Sequence, residues 1–341
     1  MADYSYQEQD KFVEIMAEDD FLERMALVKG DEFREYRRKW DMAGRFELET
    51  PGPIHVDFEL SHHCQLKCPM CPFGLPSGHR PAGFDDVDGF MAFDLYKKVI
   101  DEGIPLGLKS IQLSFYNEPL LRKDLVDLIQ YAAHQGIIDI MFSSNGLLLT
   151  PEMTEKLLDS GLTRFMVSLD ANSEDVYQKM RVGGDFKTAV DNMEYFLKRK
   201  KERKQVLPIT RVSFVKTKLN EHELEAFIAR WKPMVDYLSI QELEEYEEMG
   251  FTLTPISLKT NLDFKCHMPW HRVVIRVDGD VLPCCMVKGM QLVMGNIYKQ
   301  SLQEIWLGQG MRDLRQLHKE GRYYDNPVCK ACAESTVCRT A

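Results

Sequence analysis

The sequence predicts an α/β chain: a partial (β/α)6 barrel followed by a small cysteine-rich domain. Three observations carry this reading. Between residues 54 and 241, short strand-period runs alternate with helix-period runs, giving six β/α units joined by short connections. The nine cysteines fall in two groups, three at 64–71 and six between 266 and 338. Hydrophobic residues make up 44% of the 341-residue chain, the proportion of an ordinary globular protein.

The elements follow in order. Residues 1–53 form a charged leader with helical spacing at Phe12, Ile15 and Met16, then at Phe21, Leu22, Met25 and Leu27. A second helical run covers 32–42, and 41–53 reads as a linker. This leader is too short for a winged-helix peptide-recognition domain and is expected to cap the core. Strands are expected at 54–60, 110–115, 137–143, 164–169, 210–215 and 235–241, with helices at 93–102, 121–135, 151–160, 185–201 and 221–231. Such alternation predicts a parallel sheet with right-handed crossovers over 54–245. In a TIM-type barrel, chemistry lies at the C-terminal ends of the strands. Over 246–341, Asp278-Gly279 is a hairpin signal between 273–277 and 281–282, which brings Cys266 and Cys284 to one end. A helix at 302–306 leads on to Cys329, Cys332 and Cys338.

Charge and composition narrow the function. A net charge of −10 argues against a general nucleic-acid binder. The sequence has no apolar run of about 18 residues and no signal-peptide pattern, so a membrane span is not expected. An odd number of cysteines in clusters suits metal-bound thiolates in a reducing cytoplasm better than disulfides. The basic run at 198–204 reads as a solvated helix end that complements the helix dipole, with a docking patch for an electron donor as the alternative.

The chemistry centres on Cys64-Gln-Leu-Lys-Cys68-Pro-Met-Cys71, a C-x3-C-x2-C loop just after the first expected strand. Three thiolates on one loop can grip three corners of a four-iron cluster, and the next cysteine is Cys266, so the fourth iron is left open. A zinc site or structural thiols are the other readings, although zinc prefers two nearby C-x2-C pairs. Glu118-Pro119 follows the second strand and Ser143-Ser144-Asn145-Gly146 the third, while Ser168 and Asp170 share a face at the end of the fourth. Asp170 or Ser173 capping a helix is the rival reading there.

The C-x3-C-x2-C motif resembles that of the radical S-adenosylmethionine (radical SAM) superfamily. The resemblance implies that Cys64, Cys68 and Cys71 hold a catalytic 4Fe-4S cluster whose open iron chelates S-adenosyl-L-methionine. Reductive cleavage then yields a 5'-deoxyadenosyl radical. It further implies that Met70 meets the adenine, that Glu118 holds the methionine ammonium, and that Ser144, Asn145, Ser168 and Arg181 contact the cofactor. Where the family usually has Gly-Gly before Glu-Pro, this chain has Tyr116-Asn117. Asp170 is a candidate for substrate binding or proton removal.

The C-terminal cysteines resemble the SPASM/twitch extension of that superfamily, which binds auxiliary clusters. Two fully ligated auxiliary clusters need eight cysteines, so six favour one, held by Cys266, Cys284, Cys329 and Cys332. A four-cysteine zinc site is the alternative. Cys285 and Cys338 are left over, and Cys338 is a candidate hydrogen-atom donor. The resemblance implies a small-molecule substrate such as a sugar, aminocyclitol or nucleotide sugar, oxidised at a secondary alcohol, and a flavodoxin- or ferredoxin-type electron donor. Epimerisation, peptide maturation and a non-enzymatic electron carrier are the other outcomes considered.

Overall fold

The computed structural model describes residues 12–16, 21–243 and 265–334. The leader contributes β1 (Phe12–Met16), α1 (Phe21–Lys29) and α2 (Asp31–Gly44). The barrel then runs β2 (His55–Phe58), α3 (Phe93–Leu106), β3 (Ser110–Gln112), α4 (Leu125–His134), β4 (Asp139–Ser144), α5 (Pro151–Leu158), β5 (Arg164–Ser168), α6 (Glu174–Met180), α7 (Phe186–Glu202), β6 (Ile209–Lys216), α8 (Leu224–Trp231) and β7 (Tyr237–Glu242). The C-terminal part holds α9 (Met268–His271), β8 (Arg272–Ile275), β9 (Asp280–Leu282), β10 (Gly295–Asn296), α10 (Leu302–Trp306), α11 (Gln309–Lys319) and α12 (Pro327–Glu334).

Strands β2 to β7 are mutually parallel and neighbour one another in sequence order, which is the expected (β/α)6 arrangement. Val56, Ile111, Ile140, Val167 and Val212 turn outward into the core beneath the helices. The helices meet them with apolar faces such as Leu125, Leu128, Ile129 and Ala132 on α4. Residues of opposite parity line the inside of the curl. The C-terminal strands are not a separate sheet. β8 pairs in parallel with β2, and β9 and β10 extend it antiparallel, so ten strands form one sheet.

Residues 12–16 are a strand, not the helix their spacing suggested: β1 pairs antiparallel with β7. An uncovered parallel edge presents a row of unpaired N–H and C=O groups, and a Val- and Ile-containing segment can satisfy them. The rest of the leader is helical and closes the N-terminal end of the barrel. Phe21 stacks on Tyr237 at 4.5 Å and Trp40 on His271 at 4.2 Å. Burying rings of this size contributes about 2 kcal/mol each. The basic helix end is tied down by acidic partners. Arg199 and Arg203 pair with Glu155 of α5, and Lys200 with Asp236. Among the described residues no helix is long and apolar enough to cross a membrane. The expected boundary at 245/246 lies outside the described residues.

Candidate active site

The loop after β2 carries the three cysteines over the C-terminal ends of the strands. Two features fix it there. Gly74 packs so closely that a Cβ would lie 2.2 Å from the Cys68 carbonyl oxygen, so only glycine fits. Beneath it, Glu59 forms a buried bridge: His62 Nδ1 lies 2.8 Å from Oε1, and Arg276 Nε donates to Oε2 at 3.2 Å. Arg276 also donates to the carbonyls of Gly83 and Phe84, which ties the C-terminal part to this loop.

Cys64, Cys68 and Cys71 line one cavity of about 170 Å³ together with Ser114, Glu118, Ser144, Asn145, Ser168 and Arg181. Burial pushes the Cys64 thiol up to about 11 and the Cys71 thiol up to about 12, and raises that of Cys68. Such thiols become good ligands when a metal displaces their protons. Two polar groups already face the sulfurs. Asn145 Nδ2 approaches Cys64 Sγ at 4.0 Å, and Arg181 Nη1 lies 3.7 Å from Cys68 Sγ. Soft thiolates at separate points of a cavity wall suit a cuboidal cluster. Among the described residues, no group of three or more His, Cys, Asp or Glu is gathered closely enough for a single metal ion.

Glu118 is 2% exposed and fastens the end of β3 to the end of β4. Oε1 accepts from Ser144 Oγ at 2.8 Å and Leu120 N at 3.0 Å, and Oε2 accepts from Asn145 N at 2.8 Å. Burial raises its pKa, and these bonds act against that rise. One lone pair on Oε2 remains for an ammonium. The missing glycines do not distort the segment. Neither Tyr116 nor Asn117 takes a positive φ, Asn117 Oδ1 accepts from Phe115 N, and Glu118 N donates to His63 O at 2.8 Å. The Asn145-Gly146 turn does need its glycine, at φ 79°.

Two of the expected site residues stand back from the cavity. Met70 is partly buried against apolar clusters and is not among the lining residues. Asp170 is fully buried at φ 60°, behind Arg181, with which it is ion-paired; its Oδ1 accepts from Val215 N at 2.8 Å. Burial works against the charge of Arg181, and Asp170 and Cys68 more than restore it. The cavity also takes in Ser114, Phe115 and Ser143, which motif reading missed as site residues. Strand parity is the signal that finds Ser114, two residues beyond Gln112 on the inner face.

Cys266, Cys284, Cys329 and Cys332 line a second, smaller cavity with Pro269, Met286, Leu314 and His318. Gly289 is needed there, because a Cβ would stand 2.4 Å from Cys284 Sγ. Burial raises the Cys284 thiol well above its usual range and lowers His318 to about 4. Cys285 points elsewhere, with Arg272 Nη1 3.7 Å from its sulfur. Cys338 lies outside the described residues.

Comparisons with known proteins agree with this geometry. The model of the radical SAM superfamily matches residues 58–230, half of the chain, and that of an iron–sulfur cluster-binding (SPASM) domain matches 266–333. The chain belongs to the radical SAM superfamily: it is an enzyme that binds S-adenosylmethionine at a 4Fe-4S cluster and carries a C-terminal domain for auxiliary iron–sulfur binding.

Among relatives, it is 33% identical over 135 residues to a probable GTP 3',8-cyclase of Methanococcus maripaludis, which covers 40% of this chain and 42% of the cyclase. The chain thus matches well under half the length of that relative. It is 24% identical over 285 residues to the S-adenosyl-L-methionine-dependent 2-deoxy-scyllo-inosamine dehydrogenase of Niallia circulans, covering 83% of this chain and 93% of the dehydrogenase. The crystal structure of SuiB from Streptococcus suis shares the fold, with a TM-score of 0.61 at 16% identity, covering 84% of this chain and 72% of SuiB.

Proposed function

We propose that this enzyme oxidises a secondary alcohol of a small polyhydroxylated molecule to a ketone. The observation that carries the reading is the second cavity. Four cysteines lining one apolar space provide for a single auxiliary cluster, which can take the electron an alcohol oxidation must lose. The hydroxyl-lined wall of the first cavity, with Ser114 and Ser143, suits a small polar substrate. Similarity along most of both chains to a dehydrogenase of an aminocyclitol supports the same class of reaction.

Cys64, Cys68 and Cys71 would hold the cluster whose electron, with S-adenosylmethionine bound, would supply a 5'-deoxyadenosyl radical to take one hydrogen atom from the substrate carbon. Glu118 receives the cofactor's ammonium on its remaining lone pair, while Ser144, Asn145 and Ser168 bond its polar groups. Arg181 presents its guanidinium to the cofactor carboxylate beside Cys68. Cys266, Cys284, Cys329 and Cys332 would hold a cluster able to accept the electron that the substrate radical must lose, and the hydroxyl proton would leave to water. Asp170 serves in this reading to hold Arg181, a role supported by its contacts with Arg181 and Val215 N. Met70 packs beside the loop. A flavodoxin- or ferredoxin-type donor and a cytoplasmic setting complete the proposal.

Anaerobic turnover with deuterated sugars, sugar acids and aminocyclitols tests it. Substrate-dependent deuterium in 5'-deoxyadenosine is expected from one of these classes. Transfer only from a peptide would place the protein among maturases instead.

A further inference from the structure

The inner wall continues beyond the residues used so far. Ser168 lines the cofactor cavity, stands opposite Ser213 in register, and Ser213 stands opposite Ser239, so three hydroxyl residues form one row across β5, β6 and β7. One step nearer the N-terminal ends, the row is Met166, Arg211 and Tyr237. Val212 and Phe214 turn outward into the helix-facing core, which leaves Arg211 and Ser213 on the inside.

Arg211 differs from the other arginines around this wall. Arg164 pairs with Asp139, Arg272 with Asp57, Arg276 with Glu59, and Arg181 with Asp170. Among the described residues Arg211 pairs with no carboxylate. Its Nε is buried without a hydrogen bond, and its guanidinium lies 5.9 Å from the Tyr237 ring. That ring is stacked on Phe21, which closes the barrel on the far side. Next to it, Ser213 is 3% exposed and its Oγ has no partner, while Ser239 Oγ accepts a long bond from Gln241 at 3.4 Å. A guanidinium with no carboxylate partner and a buried Nε–H and hydroxyl without hydrogen bonds make a wall that an anion with further polar groups would complete.

We propose that the substrate carries an anionic group, a carboxylate or a phosphate, held by Arg211, with its hydroxyls meeting Ser213 and Ser239. The inference rests on the small-molecule reading above and narrows it. Acidic sugars and sugar phosphates fit this wall, whereas a cationic aminocyclitol does not.

The test is thermal unfolding of the anaerobically reconstituted full chain, loaded with S-adenosylmethionine, against glucose, glucosamine, glucuronate and glucose 6-phosphate. At least one anionic probe should raise Tm by about 4 °C at saturation, with glucose and glucosamine leaving it unchanged. The glucuronate and glucose 6-phosphate arms distinguish carboxylate from phosphate. In Arg211→Gln, checked for folding by its iron content, the anion-dependent shift should vanish; Arg211→Lys serves if that variant does not fold, and should keep a reduced shift. No shift from either anion, equal shifts from neutral and anionic probes, or an anion shift that survives in Arg211→Gln overturns the proposal. Cleavage of S-adenosylmethionine without substrate is measured in parallel. A protein that cleaves it but shows no anion preference loses only this subsite, whereas one that never cleaves it loses the underlying reading.

Discussion

Arg181 reaches Cys68 from behind the cavity, Nη1 to Sγ at 3.7 Å, while Asp170 holds the same guanidinium from its other side. The arrangement places a fixed positive charge against Cys68, one of the three proposed ligands of the catalytic cluster. Charge and hydrogen bonds at the sulfurs set cluster potentials. Arg181→Met should therefore lower the midpoint potential of that cluster, on the order of 60 mV, equivalent to a tenfold change for a one-electron couple. Asp170→Asn, which removes the opposing charge, should move it the other way. Redox titration followed by electron paramagnetic resonance reads both. Equal potentials in all three proteins would separate Arg181 from the cluster.

Glu118 fastens β3 to β4 and, under the proposed function, also receives the cofactor's ammonium; substitutions can test both. Glu118→Ala leaves the buried N–H groups of Leu120 and Asn145 without their acceptor, a loss of about 1–3 kcal/mol in stability, and weakens cofactor binding. Glu118→Gln keeps one carbonyl acceptor but turns its NH2 toward the Leu120 or Asn145 N–H, so stability should return only in part while affinity for S-adenosylmethionine stays low. Denaturant titration and equilibrium binding check the two effects. Wild-type affinity in Glu118→Gln would remove the carboxylate from ammonium recognition.

Iron content tests the two cysteine groups separately. The reconstituted chain should hold about eight irons, and about four after replacement of Cys64, Cys68 and Cys71 by Ala or after Cys284→Ala. Zinc retained at the C-terminal group would restore the four-cysteine zinc reading.

Much of this was legible in the sequence because it is local. The six β/α units follow from periodicity, and both cysteine groups from spacing within a loop or across one hairpin. What was missed depends on contacts distant in sequence. The segment Phe12–Met16 becomes a strand only because β7 offers it an edge. Asp170 looked like a free carboxylate because Arg181 returns to it across the turn of α6. Glu59 drew no notice among apolar neighbours, yet it joins His62 to Arg276 from more than 200 residues away.

Stability should fall in mild acid. Burial lowers the pKa of His271 well below 6.5 and lowers that of His55, so both take up a proton less readily in the folded protein than in the unfolded chain. The unfolded state then binds more protons below about pH 6.5, and stability declines as pH drops through that window, by up to about 1.4 kcal/mol per pH unit for each group. Above it the contribution is fully present. Asp57 and Asp139 have lowered pKa values and matter only at lower pH. Unfolding temperatures at pH 7.5 and 5.5 should differ less in His271→Asn than in wild type, and an unchanged difference would contradict the assignment.

The central claim is that the substrate leaves two hydrogens lighter, with its second electron taken by the auxiliary cluster. Product mass in deuterated solvent, set against S-adenosylmethionine consumed, measures this most directly. The account predicts a ketone two mass units below the substrate, one S-adenosylmethionine consumed per product and no solvent deuterium at the reacting carbon. A product with a solvent deuterium at that carbon, and no net loss of hydrogen, would show epimerisation and contradict it.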